Sequence, residues 1–420
     1  MSLNKVNFSP GSKNWILKYF DLVERGFIVI SADSKNDFDI NPLRLIINKT
    51  GLLYGSCVQL IYAKNIKLSQ YTKDEQLKLL LFETLIYVYK NRFNQFNKNE
   101  FLAALENFYQ GAETNQFDHW ISFFLEKSTD AKLEKILNDR VKVNSTIFGS
   151  NYWLNHLSNS FVFLDVLLFE QFLKNETKSF FESYEPIAST AINCLAYSAY
   201  HDNQVEEKEQ RILWHFLASA DLQKEEKIRC EKIILEGISL KEIAFSKLNT
   251  AIIESSIYEL CIFVVKGTHL LSESEEHKMI DFGRHLNLTE NDIHLSFMLC
   301  NAFLMENGED ITLLKSESNT QFVYQSFTKR WLRILGRNKD KLIKELKESK
   351  ELITLIQKST KEELTKEEKD LVKSQFMDIL KSMPSMAIFL LPGGGLLLPL
   401  ILKLVPDLLP SSFKDNELEK

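Results

Sequence analysis

Cysteine is scarce in this chain of 420 residues, which has five cysteines and no pair spaced as CxxC. An odd number of widely spaced cysteines excludes a disulfide framework and a cysteine-based zinc site. It indicates reduced, mostly buried thiols in a reducing compartment. The five are Cys57, Cys194, Cys230, Cys261 and Cys300. A catalytic thiol is also disfavoured, because none of them lies in a recognised sequence signature.

A strong charge of one sign is also missing, since the formal net charge is −6 and the pI is near 5.9. A mildly acidic chain is not typical of a general nucleic-acid binder, and we expect no DNA partner. Residues 1–25 lack an apolar run of signal-peptide length, so the bulk of the chain is expected in the cytoplasm. Because no nucleotide loop or Ser-His-Asp order is recognisable, we expect a non-enzymatic protein without a cofactor.

The alternation typical of β-strands is nearly absent, whereas apolar residues recur at three- and four-residue steps. In residues 74–89 these positions form one apolar stripe, and similar stripes occupy residues 101–109, 117–125, 131–137 and 161–173. The pattern predicts an all-α fold. A chain of this length exceeds a single hydrophobic core, so we expect a multi-domain helical protein.

The domain organisation follows from this pattern and from changes in composition. We predict an N-terminal helical domain in residues 1–180, a helical repeat domain in residues 181–306, a polar connector in residues 307–320 and a C-terminal region in residues 321–420. Within the repeat, residues 195–222 are similar to those 66 positions later. The pattern in each half therefore predicts an apolar helix, a polar turn and an amphipathic helix.

Each half of the repeat has an acidic turn before its second helix. Asn203 to Glu206 and Ser272 to Glu275 both fit the capping box. In this motif a short polar side chain and a carboxylate three residues later satisfy the first amide groups of the helix. The turns are therefore predicted to begin two equivalent helices.

The layout of these turns resembles the TerB-like domain of tellurite-resistance proteins, which has a D-G-x-[VI]-x-x-x-E turn in both halves. That resemblance implies a divalent metal bound by acidic side chains, which here are Asp202, Glu206, Glu209 and Glu275. Hard cations prefer several oxygen ligands, so the four could act together only if the two turns meet. Thr268 stands where the second turn would have its Asp, which weakens the metal interpretation.

Three further side chains in this domain have a spacing compatible with a transition metal. His277, Asp281 and His285 step by four along one predicted helix, which places neighbouring members on the same face. The alternative, which we favour, is that Met279, Ile280 and Phe282 face the core while the other three face water.

A basic cluster with interleaved aromatic residues follows the connector, and its main members are Lys329, Arg330, Arg333 and Arg337. Lys and Arg beside an apolar span favour the cytoplasmic side of a membrane and anionic lipid headgroups, at about 1 kcal/mol per residue. A charged helix from Lys339 to Gln357 is an equally good explanation of these basic residues. Contact with RNA is the least supported of the three alternatives.

The longest apolar stretch without a charge is MAIFLLPGGGLLLPLIL, from Met386 to Leu402. Its Leu, Ile and Phe residues together favour membrane insertion by about 3–6 kcal/mol. Its prolines and glycines oppose a straight helix, at about 3 and 1 kcal/mol each. Three alternatives stay open: a span from Ser382 to Pro406, a broken helix hinged at Gly393–Gly395, and a buried hairpin of a soluble domain.

The spacing of residues in and around this stretch is long and specific, with LLLPxxxKLxPxxLPSxF starting at Leu396. It resembles the segment around the membrane span of the LETM family, mitochondrial inner-membrane proteins linked to cation/proton exchange and ribosome binding. The matching positions are Asp378, Pro384, Pro392, Pro399, Lys403, Pro406, Pro410 and Phe413. Bacterial relatives with this pattern are described as LETM-related biofilm-associated proteins, which this chain resembles.

The chain departs from the family pattern in two ways. Gly393 to Gly395 replace an aromatic and an acidic residue, and the loss of an ionisable group within the span weakens a transport function. In the family, the ribosome-binding region follows the membrane segment, whereas this sequence ends at Lys420. Ribosome binding is therefore implied by the family resemblance alone.

The sequence favours a non-enzymatic, membrane-associated accessory protein, linked to the envelope, to biofilm or to cation homeostasis. The apolar segment 384–406 would contact membrane lipid, and the helical domains would lie in the cytoplasm. The alternative is a soluble interaction scaffold whose acidic turns bind a metal ion or a protein partner. The oligomeric state is not predicted.

Overall fold

A computed structural model describes residues 8–31, 40–93, 95–110, 128–143, 158–175, 180–200, 207–266, 272–307, 348–359 and 364–381, with residues 344 and 362. Within these ranges the regular structure is helical, and strand pairing is limited to one isolated bridge between Lys142 and Ser158. The predicted all-α fold class is confirmed.

The α-helices of the described part follow one another in a long series. In chain order they are α1 (Trp15–Glu24), α2 (Pro42–Lys49), α3 (Lys73–Phe93), α4 (Lys98–Gln110), α5 (Thr129–Arg140), α6 (Val162–Leu173), α7 (Phe180–Ala199), α8 (Glu207–Ser219), α9 (Lys224–Glu236), α10 (Ala251–Lys266), α11 (Glu273–His285), α12 (Glu290–Asn307), α13 (Lys350–Ser359) and α14 (Lys366–Lys381). Short 3-10 turns lie at Leu52–Tyr54, Leu68–Gln70, Leu240–Glu242 and Phe245–Lys247.

Helix α3 is buried on every face along most of its length. All residues from Gln76 to Tyr89 are buried, and helices α5 and α6 pack against it. The prediction of a single apolar stripe in this helix is therefore wrong in extent. Neighbours on all sides cover the positions that a surface helix would leave to water, so its polar side chains must find partners inside the protein.

Glu83 of α3 shows how such a buried carboxylate is accommodated. Its oxygens accept the backbone N–H groups of Ile61, Tyr62 and Ala63 at 2.6, 2.9 and 2.9 Å. They also accept the hydroxyl of Tyr19 at 3.0 Å. Burial raises the pKa of Glu83, and these hydrogen bonds oppose that shift. The carboxylate therefore fixes the irregular chain before α3 to the centre of the fold.

A second buried carboxylate, Asp165 of α6, is paired with a cation. Arg140 at the end of α5 donates two hydrogen bonds of 2.8 Å to it, and the hydroxyl of Tyr109 donates a third at 2.8 Å. The guanidinium also lies 5.0 and 4.7 Å from the ring centroids of Phe180 and Tyr184. The bidentate pair thus joins α5 to α6, and its contacts with Tyr109 and the two rings add α4 and α7.

A third network joins the first helices to the later ones. Arg44 of α2 donates to Glu259 of α10 at 2.8 Å and to Ser296 of α12 at 2.7 Å, and Asn48 donates to Glu259 at 3.0 Å. One cluster of buried apolar side chains extends from Phe8 to Leu304. Residues on both sides of position 180 therefore share a core, while the predicted domain boundaries stay predictions.

Helices α7 to α12 are arranged around α10, which packs most extensively against α7 and α12. The bounds of α8 and α11 differ by 66 positions at both ends, as do the first residues of α9 and α12. Phe216 of α8 and Phe282 of α11, which occupy the same position in this spacing, are both buried.

Candidate functional site

The described part of the C-terminal region is a pair of short helices, α13 and α14, that pack against each other. Both helices and the turn between them supply its buried apolar side chains. These are Leu352, Leu355, Ile356, Leu364, Val372 and Ile379. They follow the three- and four-residue steps of amphipathic helices, so the local sequence explains why each helix forms and which face it buries.

The turn between the two helices is fixed by a capping box. Glu368 accepts the backbone N–H of Thr365 at 2.9 Å, and the hydroxyl of Thr365 accepts the backbone N–H of Glu368 at 3.3 Å. Lys358 at the end of α13 donates to the same carboxylate at 2.7 Å. The hydrogen bond from Lys358 lowers the pKa of Glu368, and the pKa of Lys358 is raised in return. The start of α14 is thereby set relative to the end of α13.

The opposite end of the pair is held by neutral and charged polar groups. Ser349 donates to the side-chain oxygen of Gln375 at 3.1 Å, and the amide of Gln375 donates to Glu351. Leu371 of α14 is 37% exposed. The described pair is therefore a small amphipathic unit whose last helix ends at Lys381, five residues before the apolar stretch begins at Met386.

Of the predicted motif residues in this region, Asp378 lies in the last turns of α14 and is exposed. The others lie outside the described residues, and so does the apolar segment 384–406 as a whole. These are Pro384, Pro392, Pro399, Lys403, Pro406, Pro410 and Phe413. Among the helices that are described, none has both the length and the apolar character needed to cross a membrane.

The predicted basic cluster, Lys329 to Arg337, also lies outside the described residues. The same holds for Asp202 and Glu206 of the first acidic turn. Lipid, RNA and metal contacts at these positions stay predictions.

The two described acidic residues of the predicted metal site have different surroundings. Ser272 and Glu275 form the expected capping box at the start of α11, where Glu275 accepts the backbone N–H of Ser272 at 2.5 Å. Glu209 of α8 is buried, with 1% of its surface exposed. Within the described ranges, no group of three or more His, Cys, Asp or Glu side chains could hold a metal ion.

The trio on α11 faces water, in agreement with the favoured interpretation. His277, Asp281 and His285 are exposed, whereas Met279 and Phe282 are buried. Ile280 is partly buried and packs against the core. Two of the three have local partners that also explain their positions. A ring nitrogen of His277 lies 2.6 Å from the carbonyl oxygen of Glu273, and Arg284 donates to Asp281 at 2.6 Å.

Sequence reasoning missed a buried Ser-His pair. Nε2 of His215 on α8 lies 2.7 Å from Oγ of Ser160, which is 55 positions earlier in the chain. Both residues are buried, and burial lowers the pKa of His215 to about 3. An enclosed imidazole that stays neutral at pH 7 is suited to packing rather than to acid–base chemistry. No local pattern could have indicated a contact between two such distant positions.

The five cysteines are free and buried, as expected from the sequence. Burial raises the pKa of Cys230 to about 11 and the pKa values of Cys261 and Cys300 to about 12. Because the thiolate is the nucleophile, burial disfavours reaction at these three thiols at pH 7.

Comparison with known proteins points to the C-terminal region. A family model described as "LETM1-like, RBD" matches residues 364–420, which include α14 and the apolar segment. The match supports a relation of this region to the LETM family. It covers a small part of the chain, and no curated protein and no solved structure matches the sequence. The similarity of residues 181–306 to the TerB-like domain stays a prediction.

Proposed function

We propose that residues 364–420 attach this chain to a membrane, and that residues 8–307 form a helical body held at the membrane surface. The proposal rests on one observation, which is that the family match and the apolar stretch occupy the same part of the chain. The family match at residues 364–420 contains the one long apolar stretch without a charge, Met386–Leu402. The resemblance to the LETM family implies that the helical body acts as an accessory protein in cation homeostasis or at the cell envelope.

The helix pair that precedes the apolar stretch supports this arrangement. Its polar contacts at both ends, Lys358 to Glu368 and Ser349 to Gln375, fix the direction in which α14 leaves the pair. Lys381 closes α14, and the next charged residue is Lys403. Lysines that flank an apolar segment can hold their ammonium groups at the membrane interface.

Flotation of the full-length protein with liposomes of phosphatidylethanolamine and phosphatidylglycerol tests the proposal. The wild-type protein should float with the vesicles, and the double variant Leu397→Arg with Ile401→Arg should not. Each arginine opposes insertion by about 2.5–3.5 kcal/mol, which together cancel the gain from the apolar residues.

The matched control is Leu235→Arg, an exposed position on α9 that lies far from this segment in the sequence. This variant should float like the wild type. The proposal is wrong if the wild-type protein stays in the bottom fraction, or if the double variant floats as well as the control.

Ribosome binding is a second candidate, favoured by the description of the matching family model. Co-sedimentation of the full-length protein with ribosomes, in the absence of lipid, distinguishes the two. Sedimentation that survives the substitutions Leu397→Arg and Ile401→Arg would support ribosome binding without membrane attachment.

A further inference from the structure

A cleft of about 650 Å³ opens between the ends of α7 and α9 and the face of α11. Three aromatic rings line it, from Tyr197, Tyr200 and Phe282. Two carboxylates, Glu236 and Glu242, lie on the same lining. Its size is that of a site for a small organic molecule, and such sites combine apolar walls with a few polar groups.

The walls of the cleft are fixed by contacts within the protein. The hydroxyl of Tyr200 donates to the carbonyl of Ile234 at 2.9 Å, which satisfies one of the last carbonyls of α9. Gly237 follows with φ +81° and ψ 177°, a conformation that is open mainly to glycine. A Cβ at Gly237 would lie 3.3 Å from the ring of Tyr200. The absence of a side chain therefore leaves room for the tyrosine ring at the cleft.

The aromatic rings of the cleft extend from α7 to α11. The ring of Tyr197 lies 5.0 Å from the ring of Phe282, and Phe245 lies 6.2 Å from Phe282 on the side of the 3-10 turns. Tyr197 and Tyr200 are only partly buried, so part of each side chain is open to solvent. Aromatic faces of this kind attract cations through the ring quadrupole.

The two carboxylates make the rim of the cleft negative. Glu242 is exposed, and it accepts the hydroxyl and the backbone N–H of Ser239 at 2.5 and 2.9 Å. These hydrogen bonds lower its pKa, so it is ionised at pH 7. Glu236 is also exposed, and its pairing with Lys232, at 3.7 Å, is long. Among the described residues of the lining, Lys278 is the one basic side chain, against two acidic ones.

From this combination we propose that the cleft binds a small organic cation, namely an ammonium or guanidinium group on a short apolar chain. The cationic group would lie between Glu242 and the tyrosine rings, and the apolar chain of the ligand would lie against Met279 and Phe282. The inference is independent of membrane attachment, because the described residues that line the cleft all lie between Tyr197 and Phe282.

Isothermal titration calorimetry of the full-length protein with agmatine at low ionic strength tests the inference. Agmatine carries a guanidinium and an ammonium group on a four-carbon chain, and glutarate is the oppositely charged control of similar size. Agmatine should bind and glutarate should not. Glu242→Gln should weaken agmatine binding by about tenfold, the effect of losing one charge-assisted contact.

Glutamine at position 242 keeps an oxygen that can accept the hydrogen bonds of Ser239, so the variant should retain the turn. The matched control is Glu225→Gln, which removes an exposed carboxylate of α9 outside the cleft and should leave binding unchanged. The inference is overturned if agmatine gives no heat at millimolar concentration, or if glutarate binds equally well. It is also overturned if Glu242→Gln binds agmatine as tightly as Glu225→Gln does.

Discussion

Helices α8 and α11 have the same length and lie 66 positions apart, yet the protein surrounds them differently. From Glu209 to Ser219, α8 has eight buried residues, whereas α11 has three, Met279, Phe282 and Gly283. Helix α8 packs against α7, α9 and α10, whereas the main contact of α11 is with α12. An equal spacing in the sequence therefore does not give an equal position in the fold.

Equivalent positions of the two helices show what this difference does to single residues. His215 of α8 is buried beside Ser160, and Asp281 of α11, at the same position, is exposed beside Arg284. Glu209 is buried, whereas Glu275 caps its own helix. The chemistry available to a side chain thus depends on its tertiary neighbours more than on its place in the pattern.

The largest effect is expected from Leu217→Gly, which gives α8 the residue that α11 has at the equivalent position, Gly283. Leu217 is 2% exposed. Removing its side chain should cost about 2–5 kcal/mol, and glycine within a helix about 1 more. Urea unfolding should therefore show a loss of about 3–6 kcal/mol in the free energy of unfolding.

The same substitution at an exposed leucine of α9, Leu235→Gly, is the control, since Leu235 is 58% exposed. It should lose only the helix-propensity term of about 1 kcal/mol. Equal losses of unfolding free energy at the two positions would show that Leu217 is packed no more deeply than the exposed Leu235.

The reciprocal substitution, Gly283→Leu, tests whether α11 needs its glycine. A Cβ at position 283 would lie 2.7 Å from Cγ1 of Ile293 and 3.0 Å from the ring of Tyr258. Overpacking of this kind costs about 1–3 kcal/mol, and we expect a value near the upper end because α10 and α12 are both close. Unfolding by urea measures it, and a variant as stable as the wild type would contradict the close approach.

The smallest effect depends on pH and concerns His215. Its pKa is lowered from 6.5 to about 3 by burial, so the folded protein binds fewer protons than the unfolded chain between these values. The stability linked to His215 is complete above pH 6.5 and is lost as the pH falls towards 3. From pH 7 to pH 5 the loss should be about 2 kcal/mol.

Urea unfolding at pH 7 and pH 5 measures the stability that each protein loses on acidification. The contribution of His215 is the loss in the wild type minus the loss in His215→Gln. Asp281→Asn at the equivalent exposed position is the control, and it should show the pH dependence of the wild type. If His215→Gln loses as much stability on acidification as the wild type does, the imidazole is not held neutral in the folded state.

The sequence predicts local structure correctly where that structure depends on residues close together in the chain. The capping box at Ser272 and Glu275 marks the start of α11, and the apolar steps in residues 131–137 and 161–173 lie in α5 and α6. Capping and periodicity act over one or two helical turns, so a short stretch of sequence contains the whole interaction.

The long-range contacts could not be inferred in the same way. Arg140 pairs with Asp165 across 25 positions, and Arg44 pairs with Glu259 across 215. Many arginines and carboxylates occur along the chain, and the sequence contains nothing that selects these pairs. The cleft between α7, α9 and α11 was missed for the same reason, because its lining comes from three separate stretches of the chain.

The sequence by itself determined that this protein is helical, where several of its helices begin, and that its C-terminal region carries a LETM-like pattern around an apolar stretch. Only the tertiary structure decided that α3 is covered on all sides, that His215 is enclosed and that Tyr197, Glu242 and Phe282 line one cleft. The physical reason is range: caps and helical periods are satisfied within a few residues, whereas burial is a property of the packed neighbours.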